Sequence, residues 1–178
     1  MPRLFTGIAL PMMHKTALSI LQSGVPEARW IDTSDMHITL RFIGDVTPTL
    51  GNEIAEALAR ETWAAPNIVL TRLDSFGKGK PRSLHAAVAK DEALTRLARV
   101  HETLMQRLGL PPETRNFMPH ITLARGRGWS AYDVETWLAT TALPALPPFQ
   151  PDHFNLYSAR ESRGGGPYVI EARYPLAP

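Results

Sequence analysis

Apolar and polar positions along this chain repeat with two different periods, and segments of the two kinds alternate. Residues 4–10 form an apolar run of strand length closed by Pro11, and residues 12–22 place Met13, Ala17, Ile20 and Leu21 at helical spacing before Ser23, Gly24 and Pro26. Residues 30–33 lead into a strand at 36–43, where polar and apolar side chains alternate until Gly44-Asp45. Thr47 followed by Pro48 predicts a helix start, with a capping hydroxyl and proline in the first turn. Leu50, Ile54, Ala57 and Leu58 give that helix a buried stripe, to about residue 63.

The second half repeats the plan. Residues 68–73 and 83–89 predict strands, the latter with Leu84, Ala86 and Val88 on one face. Asp91 caps a predicted helix whose stripe is Leu94, Leu97, His101, Leu104 and Leu108, and Gly109, Pro111 and Pro112 stop it. Residues 120–125 predict a strand ended by Gly126 and Gly128, residues 131–140 a short helix, and the proline-rich run 144–151 a connector. Residues 153–158 and 168–174 read as a closing hairpin around Gly164-Gly165-Gly166. The pattern predicts an α+β fold, one domain over residues 1–178 made of two similar lobes.

The repetition reaches individual residues. His37-Ile38-Thr39-Leu40 recurs as His120-Ile121-Thr122-Leu123. Roughly half of one His-x-Thr is expected by chance in such a chain, but the matching Ile and Leu mark a duplicated unit. On a strand, His and Thr fall on one face and Ile and Leu on the other. Two imidazoles and two hydroxyls are thereby offered to one cleft.

Composition narrows what they can do. The chain has no Cys, which excludes disulfides, thiolate zinc sites and a cysteine nucleophile, and fits a reducing compartment. The N-terminus lacks a signal-like apolar run and no stretch reaches membrane-spanning length, so the expected location is the cytoplasm. A net charge of +2 does not by itself announce nucleic acid.

Histidine takes and gives protons at neutral pH, so two of them permit a division of labour. In phosphodiester cleavage one removes a proton from the attacking oxygen and the other donates to the leaving oxygen, while the Thr hydroxyls donate to the non-bridging oxygens. A catalytic zinc normally has three protein ligands, and neither motif has an Asp, Glu or second His at ligand spacing. No Gly-x-Ser-x-Gly turn and no phosphate-cradling Gly-rich loop with Lys-Ser/Thr is present. No cofactor and no metal are expected.

With these residues in hand, the chain resembles the 2H phosphoesterases. His37-Ile38-Thr39-Leu40-Arg41-Phe42-Ile43-Gly44 and Pro119-His120-Ile121-Thr122-Leu123-Ala124-Arg125 look like the RNA 2′,3′-cyclic phosphodiesterases, also called 2′-5′ RNA ligases. The resemblance implies two lobes related by a pseudo-twofold axis, each an antiparallel sheet with helices on its outer face, and a central groove. It implies metal-free hydrolysis of a terminal 2′,3′-cyclic phosphate to a 2′-phosphate, with weak reversible 2′-5′ joining. His37, Thr39, His120 and Thr122 carry over as catalytic residues, and Phe42 and Arg125 as substrate-binding ones, for base stacking and bidentate phosphate binding. The implied partner is RNA with a cyclic phosphate end, tRNA fragments included, acted on by a monomer.

Phe42 and Arg125 lie five residues after their histidines, an odd offset that turns them to the opposite face of an ideal strand unless a bulge or break intervenes. Beside Ile43, Phe42 therefore reads as a core residue before a base platform, and Gly126 as a candidate break beside Arg125. Lys78, Lys80 and Arg82 on a Gly/Pro loop read as a grip on a phosphate backbone or as a solvated hairpin. Arg160 and Arg163 read as a loop over RNA or a plain hairpin tip. His101 reads as packed at the edge of its helix, His14 as surface, and His85 and His153 as structural. Rival functions are a phosphodiesterase for ADP-ribose 1″,2″-cyclic phosphate or 2′-5′ oligoadenylate, and an RNA-end-binding module without turnover.

Overall fold

In the computed structural model, which describes residues 2–159 and 166–178, the chain runs β1 (Arg3–Ala9), α1 (Met12–Ser19), β2 (Arg29–Trp30), a 3-10 turn (Thr33–Asp35), β3 (His37–Asp45), α2 (Pro48–Ala59), β4 (Leu70–Phe76), β5 (Ser83–Val88), α3 (Glu92–Arg107), β6 (His120–Arg125), α4 (Ala131–Thr140), β7 (His153–Ser158) and β8 (Val169–Pro175). The predicted caps are in place: Thr47 Oγ1 accepts from the Leu50 amide at 3.2 Å and Asp91 Oδ1 from the Leu94 amide at 2.8 Å. These bonds satisfy amides that the first turns of α2 and α3 leave without partners.

All strand pairs are antiparallel, in the order β4-β5-β6-β3-β1-β7-β8, with β2 on β6. The two halves follow one recipe, β1-α1-β3-α2-β4 and β5-α3-β6-α4-β7. In each, the first strand pairs with the motif strand, and the last strand crosses over: β4 pairs with β5 of the second half, and β7 with β1 of the first. β8 then closes the β7 edge. The halves meet where Ile38 pairs with Ile121, the pair that joins β3 to β6. Ile38, Leu40, Ile121 and Leu123 enter one shared hydrophobic core with residues from the helices.

Several expectations change. The buried side chains of α1 are His14 and Leu18, while Met13 is 61% and Ile20 77% exposed. The connector 144–151 lies against this helix and presents a carbonyl that needs a donor; His14 Nε2–H supplies it to Pro147 O at 2.9 Å, and the His14 ring meets the edge of Phe149. α2 ends at Ala59, earlier than expected, and the Trp63 indole folds back to donate to Leu58 O at 3.1 Å. β4 begins at Leu70, and β2 is a strand that its two residues did not announce. His101 is fully buried, its Nδ1 2.8 Å from Thr6 Oγ1 and its ring against Trp63 and Phe154. The glycine turn expected around Gly164 and the loop reading of Arg160 and Arg163 lie outside the described residues.

Candidate active site

Each motif strand contains the same irregularity. In β3, Thr6 pairs with Arg41 and Gly7 with Thr39, so Leu40 has no opposite number. In β6, Leu84 pairs with Ala124 and His85 with Thr122, which leaves Leu123 extra. A bulge of one residue reverses the in-out alternation beyond it. Burial follows: both strands read half-buried, buried, half-buried, buried, buried, exposed from His37 to Phe42 and from His120 to Arg125.

The bulges resolve the odd offset. Directly opposite residues of an antiparallel ladder share a face, and Ala9, Gly7 and Phe5 on β1 oppose His37, Thr39 and Phe42. On β5, Ala87, His85 and Ser83 oppose His120, Thr122 and Arg125. Since 5, 7, 9 and 83, 85, 87 are each spaced by two, all six predicted residues stand on one sheet face. Phe42 is not core; it is 44% exposed. Gly126 is not the break. A Cβ there would lie 1.9 Å from the Trp129 ring, so this glycine makes room for an indole instead. Arg41, on the other face after the bulge, pairs with Glu102 of α3 and donates to Pro111 O at 2.8 Å.

Both imidazoles are held in the same way. His37 Nδ1 donates to Asp35 O at 2.7 Å and His120 Nδ1 to Met118 O at 2.7 Å, in each case the carbonyl two residues earlier. A carbonyl only accepts, so it keeps the proton on Nδ1 and leaves Nε2 of the neutral ring as a base. Thr39 Oγ1 lies 3.0 Å from His37 Nε2 and donates to it. Burial pulls the His37 pKa down to about 4; the Asp35 carbonyl opposes the shift, and the charges of Arg125, His120 and Lys15 add to it. His120 is also lowered, first by burial, then by Arg125 and Arg115. Arg125 thus acts on both rings.

The two halves of the face differ in chemistry. Around His37 stand the rings of Phe5 at 4.8 Å, Tyr168 at 5.3 Å and Tyr157 at 5.6 Å. Tyr168 is brought there by Asp35, whose Oδ1 accepts the Tyr168 amide at 3.1 Å. Around His120 stand Phe76 at 4.8 Å and His85 at 5.0 Å, with Phe76 stacked on His85 at 4.1 Å. His85, read from the sequence as structural, faces the site; it is buried, its Nδ1 has no hydrogen-bond partner among the described residues, and burial lowers its pKa to about 4. Alternation with Leu84, Ala86 and Val88 already put His85 on a polar face. What the sequence lacked was the identity of the neighbouring strand.

A fold built on two bulged His-x-Thr strands, related by a pseudo-twofold axis through the Ile38–Ile121 pair, has counterparts among solved structures. The crystal structure of E. coli LigT complexed with 3′-AMP matches 100% of both chains with a TM-score of 0.80 and 22% identity. Among sequences, the RNA 2′,3′-cyclic phosphodiesterase of Aeropyrum pernix is 36% identical over 112 residues, 62% of this chain and 63% of that one. The RNA 2′,3′-cyclic phosphodiesterase of Geobacillus stearothermophilus is 36% identical over 129 residues, 68% of this chain. The match spans 41% of that longer relative. The family model of the 2′-5′ RNA ligase superfamily matches residues 26–163. The chain belongs to the 2′-5′ RNA ligase superfamily, the family that its paired motifs resemble.

Proposed function

We propose that this protein hydrolyses the 2′,3′-cyclic phosphate at an RNA end to a 2′-phosphate, with His37 and His120 as the acid-base pair. The reading rests above all on two imidazole-hydroxyl units in equivalent settings on one face, each Nδ1 tied to a carbonyl, with Arg125 acting on both. The names of the Aeropyrum and Geobacillus relatives agree with it.

In the free protein both rings are neutral at pH 7. A phosphodiester anion between them favours a proton on one, which then becomes the acid, while the neutral ring takes a proton from water. Water attacks phosphorus in line with O3′, the P–O3′ bond breaks, the acid imidazole protonates O3′, and a 2′-phosphate remains. Once the substrate replaces Thr39 at His37 Nε2, the hydroxyls of Thr39 and Thr122 donate to the non-bridging oxygens, Arg125 neutralises them, and Phe42 stacks on the terminal base. Run with an RNA 5′-hydroxyl in place of water, the same steps join two ends through a 2′-5′ bond.

The test is incubation of the protein with a short RNA ending in a 2′,3′-cyclic phosphate, in buffer containing EDTA. Chromatography against authentic 2′- and 3′-phosphate standards reads the result. A clean 2′-phosphate is expected, and either a 3′-phosphate or activity that returns only with one added cation overturns the proposal.

A further inference from the structure

The second half of the site carries an imidazole that the first half lacks. Opposite Thr39 stands Gly7, where a Cβ would already lie 3.3 Å from His37 Cδ2; opposite Thr122, in the equivalent place, stands His85. Directly opposite side chains of a ladder have Cβ atoms roughly 5 Å apart, so His85 and Thr122 can reach one ligand together. His85 is 3% exposed, its ring stacked on Phe76 at 4.1 Å and set edge-on to His120 at 5.0 Å.

The protein does not satisfy this ring. Nδ1 of His37 and of His120 each meets a carbonyl two residues earlier, but Nδ1 of His85 is sealed without a partner, and its Nε2 bonds to nothing among the described residues. The carboxylate best placed to hold the ring is Asp74, directly opposite on β4. It is engaged elsewhere, with Oδ1 accepting the Ser75 amide at 2.8 Å and Oδ2 accepting Arg72 Nε at 3.2 Å. Burial, with His120 and Arg72 on its side and Asp74 against it, keeps the ring neutral at pH 7, so it holds a single proton. A sealed N–H without an acceptor costs more than a sealed lone pair, which puts that proton on Nε2. Nε2 is the distal nitrogen, farther from the sheet on the face of the histidines, and of the two it is the one not sealed.

We infer that His85 is a substrate-binding residue whose Nε2–H donates to a non-bridging phosphate oxygen beside Thr122. The inference rests on the proposed phosphodiester chemistry and gives the His120 side of the groove a neutral donor, distinct from the acid-base pair.

Three variants separate this role from packing. Gln carries its amide nitrogen at about the reach of Nε2 and Asn at that of Nδ1, while Phe keeps a ring to stack on Phe76 but has no donor. On a nucleoside 2′,3′-cyclic phosphate, His85→Asn and His85→Phe should each lower kcat/KM at least about tenfold, the order of one hydrogen bond to a charged acceptor, while His85→Gln stays within about threefold of wild type. A ring that only packs gives the reverse order, with Phe mild and both amides harmful, and that result overturns the inference. If His85→Phe does not fold, a Gln variant no better than Asn still overturns it.

Two readouts need no turnover. Long-range proton–nitrogen correlation NMR of the free protein at pH 7 should place the His85 proton on Nε2, the signal being assigned by its loss in His85→Gln. Calorimetry should show inorganic phosphate binding at least about tenfold weaker in His85→Phe than in wild type. If the cyclic phosphate is not hydrolysed, the proposed activity fails and these two still decide: a proton on Nδ1, or no difference in phosphate binding between wild type and His85→Phe, refutes the role of His85.

Discussion

Leu40 and Leu123 occupy the same place in the two halves, each the unpaired residue of a one-residue bulge three positions after a histidine. Both are buried in the core, and their insertion turns Phe42 and Arg125 onto the face of the histidines. The bulges therefore bring six side chains of the repeated strands onto one face of the sheet.

If His37 and His120 act as one acid-base unit, alanine at either should lower the single-turnover rate by at least about 10². The double variant should be far less than multiplicatively worse. Near-full turnover in either single variant refutes the assignment.

Gly7 tests how tightly the His37 ring must be held. A Cβ there would lie 2.8 Å from Ile38 O and 3.3 Å from His37 Cδ2. Gly7→Ala should displace the ring, with about a tenfold loss of kcat and about 1–3 kcal/mol of stability from overpacking. Denaturant unfolding and single-turnover kinetics separate the two effects. Full activity would show that the ring has slack.

The rate against pH should be bell-shaped, with limbs that belong to the coupled pair. Both histidines are pulled below the usual value in the free protein, so the acid limb of kcat/KM should lie under pH 6.5. The limb of kcat should lie higher, since bound phosphodiester favours the charged ring. A kcat/KM limb above pH 7 contradicts the placement of these rings.

Stability should fall in mild acid. Burial lowers His37 and His85 to about 4 and His101 to about 3, so the unfolded chain binds protons that the folded one refuses. Their contribution is complete above pH 6.5 and is lost as pH drops from 6.5 towards about 4 for His37 and His85 and about 3 for His101. Each imidazole adds a slope of at most about 1.4 kcal/mol per pH unit. His101→Gln keeps a polar partner for Thr6 but cannot titrate, and should flatten the decline by about one proton. Urea midpoints at pH 7, 6 and 5 measure it, and an unchanged slope in the variant refutes the role of His101.

Arg125→Ala should slow hydrolysis by roughly 10² by removing a preorganised cation. Arg125→Lys should recover only part of the rate, because a point charge cannot bind two oxygens at once. Chromatography of the products reads the pose: a mixture of 2′- and 3′-phosphate from Arg125→Ala identifies it as the residue that orients the ring of the cyclic phosphate. Wild-type rate and product would remove Arg125 from the site.

The sequence by itself determined the pairing of His37 with Thr39 and of His120 with Thr122 on strand faces, because a period of two is a property of adjacent residues. Helix starts at Thr47 and Asp91 were legible for the same reason, since a cap bonds an amide three residues away. Tertiary structure decided the rest. Whether Phe42 and Arg125 join the histidines depends on register against β1 and β5, which bulges at Leu40 and Leu123 shift by one residue. His85 became part of the site only when β5 paired with β6, and β4 and β7 exchanged between the halves through pairings that no local pattern encodes. The buried side of α1 was likewise set by a connector more than a hundred residues away, whose Pro147 carbonyl required the His14 proton. Local periodicity gives each side chain a face, but which faces meet is settled by burying apolar surface and satisfying backbone groups across the whole chain.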